Sequence, residues 1–256
     1  GTSIGELFIA GVGPGLLILV LFCGYCRVAS IGMESSIAPA TWPQRWRALR
    51  RAIFPLGFPT VVMGGIYSGI FSPTEAAAVC VLYAVFLEVV IYRQMMLTML
   101  PRIALSTGLV TAVVFVLVGA GAAFSWVISF ARIPQAVLTE TLGLTAQSGY
   151  WPIMTAISVA FFVGCMFVDP IVVILILAPI FHPIAVAAGI DPVLVGVAVT
   201  LQVAIGSATP PFGCDIFTAV AVFRRPYAEV VRGTPPFIVM LIAVAIMLIA
   251  FPPLAL

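Results

Sequence analysis

Apolar residues run in long blocks along this chain, and the polar positions between them mark where helices must begin, break and end. The first block, from about Ile4 to Cys26, is loosened by Gly11-Val12-Gly13-Pro14-Gly15. A polar stretch from Arg27 to Arg51 follows, and its segment Trp42 to Arg51 mixes tryptophan with arginine as a short amphipathic helix at a membrane interface does. A second span, about Ile53 to Phe71, carries Gly65 and Gly69, a small-xxx-small spacing that permits close helix contact. Ser72 then precedes Pro73-Thr74-Glu75, which reads as a helix start: a capping hydroxyl, proline at the first position and an acid in the first turn. The third span reaches about Tyr92, and a fourth runs from about Ile103 to Phe130 past the flexible Gly119-Ala120-Gly121.

The second half of the chain is more interrupted. A polar piece from Arg132 to Gly149 reads as lying along the interface. Residues 150–188 form an apolar run with Asp169-Pro170 near its centre and Pro179 and Pro183 in its second arm. Each arm is barely long enough for a hydrocarbon core of about 30 Å. Short, interrupted arms around a polar tip predict a re-entrant helical hairpin over 150–188. Asp191-Pro192 opens another span that stops at Gly206-Ser207-Ala208-Thr209-Pro210-Pro211-Phe212-Gly213 and resumes to Phe223. Two adjacent prolines remove two backbone donors, so a broken helix is predicted over 192–223. A last span runs from about Pro236 to Pro252.

Composition turns this pattern into a membrane protein. Hydrophobic residues make up 63% and charged residues 8% of the 256, with a mean hydropathy of +1.26. Ordinary soluble domains carry about 25% charged residues. Lipid is therefore the expected solvent, and the expected fold is an all-α polytopic membrane protein with one transmembrane domain over 1–256. All eleven basic residues are arginine and the net charge is +2, which excludes a broad basic face for nucleic acid. If the first span enters from outside and 150–188 returns outside, every arginine except Arg132 lies in the cytoplasm. No charged region precedes the first apolar block, so no signal peptide is visible, and Gly1-Thr2-Ser3 reads as the interior of a longer chain.

Chemistry concentrates at the hairpin tip and the broken helix. A membrane helix that stops at the midplane exposes amide donors at one end and carbonyl acceptors at the other. Gly206, Ser207 and Thr209 offer close-approaching carbonyls and two hydroxyls, ligands that suit a hard cation such as Na⁺. Phe212-Gly213-Cys214 begins the second half-helix, whose first amides suit an anionic group; Asp215 beside them either caps that half-helix or repels anions. The competing reading makes Thr209-Pro210-Pro211 a structural kink. Asp169 is open to two readings that are compatible, an intramembrane functional acid and an N-cap for the helix opening at Pro170. Glu75 reads as a first-turn acid or an arginine partner, and His182 as a structural histidine or a proton relay. Cys23-Gly24-Tyr25-Cys26 has redox spacing but lacks the strand–helix context that chemistry uses, so it reads as small residues in a membrane helix. No hydrolase, nucleotide-binding or metal-spaced motif appears, and no enzymatic activity or cofactor is expected.

Taken together, the motifs resemble the large membrane subunit of tripartite ATP-independent periplasmic (TRAP) transporters, specifically its C-terminal half. The resemblance covers essentially the whole chain. It rests on Ser3 to Gly15, Gly69-Ile70-Phe71-Ser72-Pro73-Thr74-Glu75-Ala76-Ala77, Ala178-Pro179-Ile180-Phe181-His182-Pro183-Ile184, Gly189-Ile190-Asp191-Pro192 and Ile205-Gly206-Ser207-Ala208-Thr209-Pro210-Pro211-Phe212-Gly213. It implies one of two inverted repeats of an elevator-type transporter in the bacterial inner membrane. It also implies Na⁺ as coupling ion and an organic acid as cargo, a C4-dicarboxylate or a sugar acid. The implied partners are a periplasmic substrate-binding protein, a small four-helix membrane subunit and the N-terminal half of the large subunit.

The family's ion site would fall on Gly206, Ser207 and Thr209, facing Asp169. The cargo would then meet Val168 and Pro170 of the tip and Pro210, Pro211, Phe212 and Gly213 of the break. The N-terminal repeat, with its own hairpin and break, is not in these residues. The alternative is a related Na⁺- or H⁺-coupled anion transporter of elevator fold that works without a binding protein. A channel would need a polar stripe along its spans, and an embedded enzyme would need an acid or metal constellation; the residues offer neither.

Overall fold

A computed structural model describes residues 3–31, 40–133, 136–141, 143–145 and 147–255. Those residues are helices and connectors without a strand, in the order α1 (Ile4–Ala10), α2 (Val12–Ala29), α3 (Trp42–Tyr67), α4 (Pro73–Phe86), α5 (Leu100–Phe130), α6 (Tyr150–Phe167), α7 (Pro170–Ala187), α8 (Pro192–Ser207), α9 (Cys214–Phe223), α10 (Tyr227–Gly233) and α11 (Pro235–Ala250). The all-α polytopic class expected from the sequence is the class observed. Among the described residues five helical runs are long and apolar enough to cross a membrane: Ile4–Ala29, Pro73–Ile91, Leu100–Phe130, Tyr150–Phe167 and Pro170–Ala187. The chain divides into two compact units, residues 27–111 and residues 1–26 with 112–256.

In the 27–111 unit, α3 pairs with α4. The expected interfacial helix at Trp42–Arg51 and the expected span Ile53–Phe71 prove to be one continuous helix. Nothing between Arg51 and Ile53 breaks the backbone ladder, and Pro55 and Pro59, four residues apart, remove donors from one face only. The Tyr83 hydroxyl of α4 donates to the Phe54 carbonyl at 2.9 Å, and its ring meets Phe58 edge-on. The Gly65/Gly69 pair does not form a helix-packing face. Gly69 lies past the end of α3 at φ +70°, and the amides of Ile70 and Phe71 donate back to the Gly65 carbonyl. That is a helix-ending device that needs the left-handed backbone glycine permits. At the start of α4, Ser72 and Glu75 cap each other: the Ser72 amide donates to Glu75 Oε2 at 2.8 Å, and the Glu75 amide to Ser72 Oγ at 3.3 Å. The helix continues beyond Phe86 as a π-helical turn, Leu87–Ile91. Residues 32–39 of the polar stretch lie outside the described residues.

The other unit is organised around α6 and α8. Ile153, Met154, Ile157, Phe161 and Cys165 recur at helical spacing on α6, and all five are essentially inaccessible. That face packs on α8, against which α7, α11 and α1 also lie. Small residues set the distances of approach: Gly164 of α6 faces Val173 of α7, and Gly196 of α8 faces Leu7 of α1. Between Arg132 and Gly149 the described residues include a π-helical segment, Ala136–Thr141; Pro134, Gln135, Leu142 and Ala146 of that expected interfacial piece lie outside them. The expected last span is α11, which meets α10 at a 46° bend that the pattern alone did not show.

Candidate functional site

The hairpin tip is built by a short connection with good capping. Helix α6 ends at Phe167, Val168 is extended, and Asp169 is the N-cap of α7. Its Oδ1 accepts the Ile171 amide at 2.9 Å, and Pro170 occupies the first helical position, where its missing donor costs nothing. Val168 and Asp169 are exposed and Pro170 is half-buried. The N-cap reading of Asp169 therefore holds in the structure, and its second carboxylate oxygen is left for other partners.

The break follows α8. Its last turn closes with the Ala208 and Thr209 amides donating to the carbonyls of Ile205 and Gly206. The Thr209 hydroxyl donates to the Ile205 carbonyl at 2.5 Å, one turn back. Pro210 and Pro211 then end the ladder, and the peptide between them is cis. The Gly213 amide returns to the Thr209 carbonyl at 3.2 Å, and α9 starts at Cys214. Gly206, Ser207, Thr209 and Gly213 are buried, whereas Pro211 and Phe212 are exposed. Gly213 has no room for a side chain, since a Cβ there would collide with the carbonyl oxygens of Ser207 and Thr209.

Tip and break meet at one end of the α6–α8 pair. A Cβ on Gly206 would lie 2.6 Å from the Phe162 carbonyl oxygen and 2.7 Å from Cys165 Cβ, so the C-terminal ends of α6 and α8 are in backbone contact. The rings of Phe167 and Phe212 face each other with centroids 6.1 Å apart. The tip is thereby brought against the break through Phe167 and Phe212, with Val168, Asp169 and Pro170 following Phe167 in the chain. Four helix ends converge there: the carbonyl-bearing ends of α6 and α8 and the amide-bearing ends of α7 and α9. Pro73, Thr74 and Glu75 belong to the 27–111 unit, where they make a helix cap. His182 sits exposed on α7. Among the described residues no group of three or more His, Cys, Asp and Glu side chains is placed to hold a metal ion.

Two side chains at the break play parts that the sequence did not assign. Ser207 Oγ lies 2.6 Å from Asp215 Oδ2 and 3.0 Å from the Ala204 carbonyl, so its single proton links the end of α8 to the first turn of α9. Tyr227, at the start of α10, donates its hydroxyl to the Pro211 carbonyl at 2.7 Å. For Asp215 the signal was its place one residue after the half-helix start. For Tyr227 there was none, because the Arg224-Arg225-Pro226 turn that folds it back, with Arg224 at φ +52°, reads only as a charged connector.

Comparison with known proteins follows this geometry. The family described as "Tripartite ATP-independent periplasmic transporter, DctM component" matches residues 1–254. The ectoine/5-hydroxyectoine TRAP transporter large permease protein of Ruegeria pomeroyi is 62% identical over all of this chain and 59% of its own length. The ectoine TRAP transporter large permease protein of Halomonas elongata is likewise 62% identical, with 60% of its own length covered. The C4-dicarboxylate TRAP transporter large permease protein of Pseudomonas aeruginosa is 34% identical, again over all of this chain and 60% of its own length. The chain thus spans about 60% of the length of the curated relatives it matches. It belongs to the DctM-component family of TRAP transporter large permeases.

Proposed function

We propose that this chain, a DctM-component membrane protein of the bacterial inner membrane, carries one ion-and-cargo half-site of a Na⁺-coupled, binding-protein-dependent importer, with residues 1–256 working as one transmembrane domain. The observation that carries this reading is the convergence of four helix ends where the hairpin tip meets the break. Carbonyl ends attract a cation and amide ends attract a carboxylate, so one small region suits both halves of a symported pair. Gly206, Ser207, Thr209 and Asp169 would hold Na⁺. Val168, Pro170, Pro210, Pro211, Phe212 and Gly213 would face the cargo. The hairpin 150–188, re-entrant in the membrane, and the broken helix 192–223 would travel together in an elevator motion.

The cargo class is narrower than organic acids at large. Asp215 places a carboxylate within hydrogen-bond distance of Ser207 beside the break, which disfavours a dianion and suits a zwitterion with one carboxylate and one delocalised cation. Ectoine has that charge pattern, and the two relatives at 62% identity are named for ectoine or 5-hydroxyectoine. Ectoine-type zwitterions are accordingly the proposed cargo in preference to C4-dicarboxylates or sugar acids. The proposed partners are a periplasmic binding protein, a small four-helix membrane subunit and the remainder of the large permease.

The test is uptake of labelled ectoine and labelled succinate into proteoliposomes holding the whole permease complex with its binding protein, with and without an inward Na⁺ gradient. Ectoine uptake that needs both Na⁺ and the binding protein is expected. Uptake indifferent to both overturns the coupled tripartite reading, and preference for succinate overturns the zwitterion assignment alone.

A further inference from the structure

A second polar feature lies away from the break, in a groove between α6 and α11 floored by α8. Both flanking helices pack on α8, and the Tyr150 hydroxyl, donating to the Ile249 carbonyl at 2.8 Å, ties the start of α6 to the end of α11. The groove encloses about 260 Å³ and is lined largely by apolar side chains, with Trp151, Val159 and Ile246 exposed along its rim. Two buried polar residues interrupt that lining: Ser158, 7% exposed, and Gln202, 8% exposed. The Ser158 Oγ has no hydrogen-bond partner, and Gln202 makes no side-chain hydrogen bond among the described residues.

Their position makes this costly. Ser158 is in the middle of α6, and its side chain is buried in the groove, away from either end of the helix. Serine and glutamine are also too short to reach the interface, unlike lysine and arginine. Acyl chains cannot hydrogen-bond, and buried polar groups left unpaired are disfavoured. A polar side chain from another membrane helix supplies what is missing, which is how serine, threonine, asparagine and glutamine act between helices in bilayers. The volume fits one or two inserted side chains.

We infer that this groove is a docking site for a transmembrane helix presenting a carboxamide or hydroxyl side chain that hydrogen-bonds Ser158 and Gln202. The occupant is a helix of the large permease outside residues 1–256, because about two-fifths of the length of the relatives at 62% identity lies outside the matched region. A segment of the same polypeptide also reaches the groove at high effective concentration. The inference depends on membrane insertion and not on the identity of ion or cargo.

The test uses the full-length permease complex in native membranes, with a benzophenone amino acid at Val159 or Ile246, illumination, and mass spectrometry of the adducts. The expected adduct is a permease peptide from outside residues 1–256 with Ser, Thr, Asn or Gln within one helical turn of the attachment point. With the probe at Val159, Gln202→Leu is expected to lower that adduct about threefold to tenfold. Because Leu has about the volume of Gln and suits the apolar lining, the amount of folded permease in the membrane should not fall with it. Adducts to lipid acyl chains only, to a different polypeptide only, or a yield unmoved by Gln202→Leu overturn the proposal.

Discussion

The Ser207 hydroxyl, at the end of α8, lies 2.6 Å from the Asp215 carboxylate in the first turn of α9. One side-chain bond therefore spans the unwound residues 208–213 where the backbone ladder cannot. Ser207→Ala deletes this link and is expected to lower the stability of the purified permease by about 1–2 kcal/mol. Asp215→Asn still accepts the same proton and should cost less than half as much. Thermal unfolding in detergent reads both, and equal losses would show that the pair does not hold the halves together.

Gly206 touches α6 through backbone. A methyl group there would sit 2.6 Å from the Phe162 carbonyl oxygen, an atom that moves only if α6 moves. Gly206→Ala is expected to destabilise by about 1–3 kcal/mol. It should also reduce uptake far more than Gly15→Ala, since a Cβ at Gly15 meets nothing within 4 Å.

Thr209 separates ion chemistry from shape. Its hydroxyl is spent on the Ile205 carbonyl at 2.5 Å, leaving the oxygen lone pairs as ligands. Thr209→Val keeps the volume and removes the oxygen; Thr209→Ser keeps the oxygen. The concentration of Na⁺ giving half-maximal uptake is expected to rise about tenfold or more in the valine variant, equivalent to about 1.4 kcal/mol. It should change little in the serine variant. Equal Na⁺ dependence in all three proteins would return Thr209-Pro210-Pro211 to a purely structural kink.

Tyr227 holds the Pro211 carbonyl at 2.7 Å from outside the break. Tyr227→Phe retains the ring contact with Phe217 and loses only that bond. A loss of about 1 kcal/mol is expected, seen as an about fivefold weaker apparent cargo affinity with an unchanged amount of folded protein in the membrane. Unaltered affinity would mean that the Pro211 carbonyl position does not matter for binding.

Glu75 works locally, as the reciprocal partner of Ser72 at the head of α4. Glu75→Gln preserves an acceptor for the Ser72 amide and should be close to neutral. Glu75→Ala is expected to lower the unfolding midpoint by a few degrees, about 1 kcal/mol, without changing the Na⁺ dependence of uptake. A changed Na⁺ dependence would give Glu75 a transport role beyond the cap.

Much of the helix order was legible because prolines, capping residues and charges act through their immediate neighbours. Asp169-Pro170 and Asp191-Pro192 each begin a helix, and the helix before Pro210-Pro211 stops at Ser207. Elements that depend on long-range context were less legible. Trp42–Tyr67 is one helix although its composition changes midway, and Gly65 and Gly69 end a helix where their spacing suggested a packing face. Apolar residues cover every face of α6, α8 and α11, so no periodicity in the sequence could say which face is protein and which is lipid.

By itself the sequence determined that this chain lives in a bilayer, where many of its helices start and stop, and that the helical ladder is broken between Gly206 and Gly213. Those properties follow from hydropathy and from the backbone chemistry of proline, glycine and capping side chains, which need no distant partner. Tertiary structure decided that Phe162 and Cys165 meet Gly206, that Phe167 meets Phe212, that Asp215 reaches back to Ser207, and that Tyr227 seats the Pro211 carbonyl. The reason is that close approach in lipid is governed by shape and residual hydrogen bonding between surfaces of equal hydrophobicity, and only the packed helices show which surfaces fit.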